Sequence, residues 1–256
     1  MVKTSNNPKK VNLSGRQASI LAAIVKEYTD NPEPVGSQDL NQKYHFNVSP
    51  ATIRSEMVVL EKLGYIEQPH TSAGRVPTDA GYRYFVKELM KRFELSLKEQ
   101  KFLHEQLAGL QKQHQELGRN IAKLLAARTD QAAFALLPES SSSSGLSNIL
   151  NQPNVDKEKF TEVVEFFEKI DEYGDDLIAK YIDNESATLI GEKGLSPIKN
   201  YSMIVSRVTL PSGKKGVIGI IGPKSMRYDK NISLVEYIAK MLSGGILVIL
   251  AMQIKY

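Results

Sequence analysis

Apolar residues recur at helical spacing three times within the first 64 positions. Ile20, Leu21, Ile24, Val25 and Tyr28 follow Ser14, which forms a capping box with Gln17, and "DNPEP" stops the run. Gly36-Ser37 opens a shorter segment, with Ser37 as its cap and Leu40 and Tyr44 on one face before the turn "HFN". Ser49-Pro50 opens a third. Serine caps, and proline suits the first helical position, where its missing N–H has no partner to lose. Ile53, Met57, Leu60 and Leu63 make that helix's apolar stripe, and Gly64 ends it. "YIEQ" and "RVPT" then flank a loop of Pro69, His70, Thr71, Ser72, Ala73 and Gly74, the pattern of two short strands and their connection. Three helices followed by a hairpin is the order of the winged helix-turn-helix, whose third helix enters the DNA major groove.

The polar side of the third helix suits that role. Ser49, Ala51, Thr52, Arg54 and Ser55 lie at its N-terminal end, off the apolar stripe. Hydroxyls contact phosphates or base edges, a methyl of Ala or Thr meets a thymine methyl, and Arg grips guanine O6 and N7 with two donors. In the hairpin loop, His70, Thr71 and Ser72 are small or uncharged enough for close approach to a sugar-phosphate backbone, and Arg75 supplies the charge. Ser37 joins this candidate DNA-binding set from the second helix. The plain alternative is an ordinary capped amphipathic helix.

Further along, Leu103, Leu110, Leu117 and Leu124 recur every seven residues, with Leu107, His114 and Ile121 at the other core position. Val86, Leu89 and Phe93 keep that register upstream. The phase weakens at Ser96 and Gln100, where "SLKE" makes a capping box, so one helix is expected to end near Glu94 and another to begin at Leu97. Two readings stay open: a coiled coil between two chains, with those seven residues as the dimer seam, or a long helix packed on its own domain. Residues 157–182 read as one amphipathic helix, 187–191, 201–210 and 216–222 as strands, and "NISLVEYIAKML" as a closing helix, which together make an α+β domain. "GGILVILAMQIKY" is apolar enough to expect packing within the domain or across a dimer. The expected organisation is a winged-helix DNA-binding domain over 1–95, a helical linker over 96–128, and an α+β domain over 129–256 with a Ser-rich junction at 139–145.

The chain's 256 residues and 41% hydrophobic content suffice for about two domains. Thirty-three basic against 29 acidic residues leave +4, which permits a polyanionic partner. Lys3, Lys9, Lys10 and Arg16 precede the first acid, and such a start fits phosphates or a solvated tail equally. There is no cysteine, hence no disulfide or thiolate metal site. No secretory pattern opens the chain and its longest apolar run falls far short of a span of ~20 residues, so a cytoplasmic protein is expected. The four histidines, His45, His70, His104 and His114, sit in separate elements, with no metalloprotease motif and no nucleophile elbow. "GVIGIIGP" lacks phosphate-loop spacing and reads as a buried strand. The chain is therefore read as a non-enzyme without metal or cofactor.

"EPVGS", "VSPATIRSEM", "LEKLGYIEQPHTSAGRVPTDAGYRYFV", "GLSNILNQP" and "GVIGIIGPKSMRYDKNISLVEYIAK" resemble the heat-inducible transcription repressor HrcA family. The resemblance implies a repressor that binds an inverted-repeat operator upstream of chaperone genes as a homodimer. It also implies coupling to the GroE chaperonin, and an architecture of winged helix, GAF-like domain and inserted dimerisation domain. Here "LLAARTDQAAFALLPE" runs through "SSSSS" straight into "GLSNILNQP", so the insert is largely missing and the GAF-like domain is expected in reduced form. The alternative is a winged-helix regulator gated by a small ligand in that domain.

Overall fold

The computed structural model describes residues 12–70, 73–110, 116–138, 140–152, 157–181, 186–191, 198–210 and 212–245. Lys3, Lys9, Lys10, Thr71, Ser72, His114 and the C-terminal stretch from residue 246 lie outside them. The chain divides into two compact units, Met1–Met90 and Lys91–Tyr256.

In the first unit, α1 (Gly15–Asp30), α2 (Ser37–Tyr44) and α3 (Pro50–Lys62) precede an antiparallel pair, β1 (Ile66–Glu67) and β2 (Val76–Pro77). Ser14 and Gln17 form the expected reciprocal capping box. The cap of α2 is Gly36, not Ser37: Ser37 is the first helical residue and makes no capping bond. At α3, Ser49 Oγ accepts the Thr52 N–H (3.2 Å) and Pro50 takes the first position. Ile20, Leu21, Ile24, Leu40, Ile53 and Leu60 are fully buried and hold the three helices together. Leu63 departs from the expected stripe. It follows the last helical residue and is 38% exposed, while Gly64 closes the helix at φ 78°.

The unit closes with α4 (Asp79–Tyr84), capped by Thr78, which runs into a π-helical turn, Phe85–Leu89. The Met90 N–H donates to the Phe85 carbonyl (2.8 Å), and Met90 itself is extended. The helix therefore ends five residues before Glu94, and Phe93 has no helix to extend the heptad register.

The second unit is built on a five-stranded antiparallel sheet in the order β4-β3-β7-β6-β5. Its strands are β3 (Ala132–Leu137), β4 (Ser140–Ser144), β5 (Ser186–Ile190), β6 (Tyr201–Thr209) and β7 (Lys215–Pro223). β3 is buried throughout, as a strand covered on both faces must be. Phe134, Leu136, Met203, Val205 and Ile221 meet Val163, Phe166 and Leu177 on one face. Those three come from α8 (Lys157–Glu168) and α9 (Ile170–Tyr181). The expected single helix over 157–182 is thus two helices, divided at Lys169. On the other face lie α6 (Leu117–Thr129) and α10 (Tyr228–Lys240).

The serine run is no junction. It pairs residue for residue with β3, from Ala133 with Ser144 to Leu137 with Ser140. A β-carbon on Gly118 would lie 3.0 Å from Ser140 Oγ and 3.3 Å from Ser142 Oγ, so glycine on α6 and serine on β4 together allow the helix to sit close over the strand.

α5 (Leu97–Leu110) starts at the expected residue, with Ser96 N–H donating to Glu99 Oε2 (3.0 Å) and Glu99 N–H to Ser96 Oγ (3.3 Å). Within a single chain Leu103, Leu107 and Ile121 are fully buried, and Leu117 and Leu124 are half-buried. Three seam positions of the expected coiled coil are thus already covered by their own unit. The side chain of Leu110 lies outside the described residues.

Polar residues of "GLSNILNQP" fasten α7 (Leu146–Leu150) to the turn between α6 and β3. Asn148 Nδ2 donates to the carbonyls of Ala126 and Gln131 (both 3.1 Å). Gln152 Nε2 donates to the Asp130 carbonyl (3.0 Å) and to Gln131 Oε1 (3.2 Å).

Candidate nucleic-acid interface

The outer side of α3 carries Ala51, Arg54 and Ser55, all exposed, with Thr52 half-buried beside them. Their hydroxyls are partly committed. Ser49 Oγ and Thr52 Oγ1 are hydrogen-bonded to each other (3.0 Å), and Ser55 Oγ donates to the Ala51 carbonyl (3.1 Å). Ser55 is thereby left as an acceptor, and Arg54 is a charged donor on this face, with no ion-pair partner among the described residues.

Arg75 is placed otherwise than the sequence suggests. Its side chain is only 14% exposed, and Nε (3.1 Å) and a terminal nitrogen (2.9 Å) both donate to Glu61 Oε2 on α3. Its backbone forms an isolated antiparallel bridge with Val35, both N–H···O distances being 2.9 Å. At the neighbouring Gly74 a β-carbon would stand 2.4 Å from the Val35 carbonyl oxygen, so the bridge requires glycine. Arg75 is thus a strut that fixes the hairpin to α3 and to the segment before α2. Local spacing does not pair positions 61 and 75, since a contact across a helix end and a hairpin arises only in the folded chain.

His70 is exposed at the hairpin tip, where its carbonyl accepts the Ala73 N–H (2.9 Å) and Gln68 Nε2 donates to the Ala73 carbonyl (3.0 Å). Ser37 lies half-buried at the start of α2. Beneath these elements Glu27 receives Lys43 Nζ (2.8 Å) and the Tyr44 hydroxyl (2.7 Å), joining α1 to α2. Burial pushes the Glu27 carboxyl up, but those two hydrogen bonds outweigh it and leave it below its ordinary value. Burial, then the bond to Glu27, raise the Tyr44 hydroxyl.

In the second unit a polar cleft of about 650 Å³ lies between β5, β6 and α10. Arg92 and Glu236 are ion-paired on its wall, Ser186 Oγ donates to Glu236 Oε1 (2.6 Å), and Lys240 lies one turn beyond. Among the described residues no cluster of His, Asp and Glu could hold a metal ion, and no helix is long and apolar enough to cross a membrane.

The family model for the HrcA protein C terminal domain matches residues 80–232, more than half of the sequence. The chain belongs to the HrcA family. Heat-inducible transcription repressor HrcA of Pelotomaculum thermopropionicum is 45% identical over 131 residues, 51% of this chain and 38% of that protein. The repressor of the same name from Thermobifida fusca is 47% identical over 132 residues, 52% of this chain and 38% of that one. The match therefore spans little more than a third of each HrcA relative. In three dimensions, a crystal structure described as that of a hypothetical protein superposes with a TM-score of 0.74 at 20% identity. It covers 93% of this chain and 99% of that one, and shares the fold.

Proposed function

We propose that this HrcA-family chain is a transcription repressor that binds double-stranded DNA in the cytoplasm. In this reading the first unit acts as a winged helix-turn-helix: α3 enters the major groove and the β1–β2 hairpin is the wing. The observation that carries the reading is the outer face of α3, where Ala51, Arg54 and Ser55 are presented outward while Glu61 and Arg75 brace the hairpin beside them. Ser37, Ser49, Thr52, His70, Thr71 and Ser72 complete the candidate contact set, through phosphates and sugar edges. Arg75 serves by positioning the wing. The domain organisation follows, with DNA reading in about residues 1–95 and a reduced GAF-like domain over 129–256.

The names of the relatives support control of heat-inducible genes, and the family resemblance extends the proposal to an inverted-repeat operator, a homodimer and coupling to the GroE chaperonin. With Leu103, Leu107 and Ile121 buried in their own unit, the homodimer rests on other surfaces. A gel-shift titration of the full chain against an inverted-repeat duplex, with and without chaperonin, tests the reading. Specific binding that weakens steeply with salt is expected. Equal affinity for random duplex refutes sequence-specific repression.

The cleft beside α10 favours a second reading, gating by a small polar ligand. Its hydroxyls, the Arg92–Glu236 pair and Lys240 suit a ligand carrying both anionic and hydroxyl groups. A thermal-shift screen of the full chain would raise the unfolding midpoint for such a ligand, since binding to the folded state alone stabilises it.

A further inference from the structure

The described residues leave six large hydrophobic side chains well exposed, and three of them, Val58, Val59 and Leu63, belong to α3 or its C-terminal boundary. At about 100° per residue, Val58 falls between Ala51 and Arg54 in projection down the helix axis, in the middle of the face that carries Arg54 and Ser55. Val59 and Leu63 are rotated away toward one flank. Val58 is β-branched and 38% exposed, so it gains no helix propensity and leaves more than a third of its surface to solvent. Its neighbours one turn back are a guanidinium and a hydroxyl that can only accept. Such a face offers a two-pronged donor, an acceptor and an apolar knob. That combination matches a stretch of major groove in which a guanine and a thymine methyl lie near one another.

We infer that Val58 is a specificity-determining residue that packs on the C5-methyl of a thymine in the major groove, an inference that rests on the DNA-binding reading above. Four residues of helix separate it from Arg54, a rise of about 6 Å, close to two base-pair steps. The thymine therefore lies about two steps from the guanine whose O6 and N7 accept from Arg54. Thymine is distinguished from cytosine and from uracil here by apolar contact alone, since Val58 has no hydrogen-bonding group to offer.

The experiment uses duplexes that the full chain itself enriches from a randomised pool, with each thymine replaced singly by deoxyuridine, which removes only the methyl. For the native chain, one thymine per half-site is expected to matter, with affinity falling about fourfold on replacement, the size of one buried methyl. Val58→Ala should bind the thymine duplex about fourfold more weakly and lose the distinction between thymine and uracil, with an unchanged thermal unfolding midpoint as the control for folding. A Val58→Ala chain that keeps the distinction, or a native chain indifferent to every replacement, overturns the inference while leaving DNA binding intact. If no duplex is enriched over random sequence, the DNA-binding reading falls and this inference with it.

Discussion

The outer face of α3 and the heptad leucines of α5 and α6 make opposite use of regular spacing. On α3 the residues off the apolar stripe, Ala51, Arg54 and Ser55, remain open to solvent. On α5 and α6 the periodic residues Leu103, Leu107 and Ile121 are closed off within the same chain. A seven-residue repeat states that one side of a helix must be covered, and other elements of the same chain cover it as well as a second chain does. Identical periodicity therefore carries no information about whether the covering surface belongs to another molecule.

That contrast can be broken most strongly at Leu107. Leu107→Ala removes a fully buried side chain and should cost about 2–5 kcal/mol of stability, by the same amount at every protein concentration. A denaturation midpoint whose loss depends on concentration would return the leucines to a seam between chains. Next in size, Arg54→Ala should weaken binding to the preferred duplex by about 1–3 kcal/mol and blur one base position, with much smaller loss on random DNA. Titrations on both duplexes read the difference.

A smaller effect separates a strut from a phosphate contact. Glu61→Gln and Arg75→Ala should each lower the unfolding free energy by about 1 kcal/mol and weaken DNA binding to a similar degree on any sequence. If only the arginine variant loses affinity, Arg75 reaches the phosphates directly. The smallest effect concerns Glu27. Its carboxyl titrates below the ordinary value of 4.5, so its contribution is present above that value and is lost as pH falls through the lower folded value. Acid titration of stability should show this loss in the native chain and not in Glu27→Gln.

Local chemistry was legible at most helix starts and stops. The capping boxes at Ser14 and Ser96, the Ser49-Pro50 start and the stop at Gly64 all stand as read. Long-range partners were not. Glu61 and Arg75 meet only through the fold. One local reading also failed, since Ser37 lost its cap role to the glycine before it. The serine run misled because serine favours turns locally. Pairing with a fully buried β3 and the close approach of Gly118 override that preference. The π-helical turn at Phe85–Leu89 ends its helix with no proline or glycine to announce it.

The serine strand also has a property that few strands share. Sliding an ordinary strand by one residue exchanges its two faces, and the mismatch of side chains penalises the slip. In β4 every position is the same residue, so a one-residue slip along the ladder replaces serine by serine at all but one end. Its alignment is written in β3 and in the helix above it rather than in its own sequence. Gain of a single serine in the tract would therefore leave all five paired positions occupied by serine, whereas loss would leave four serines for five positions.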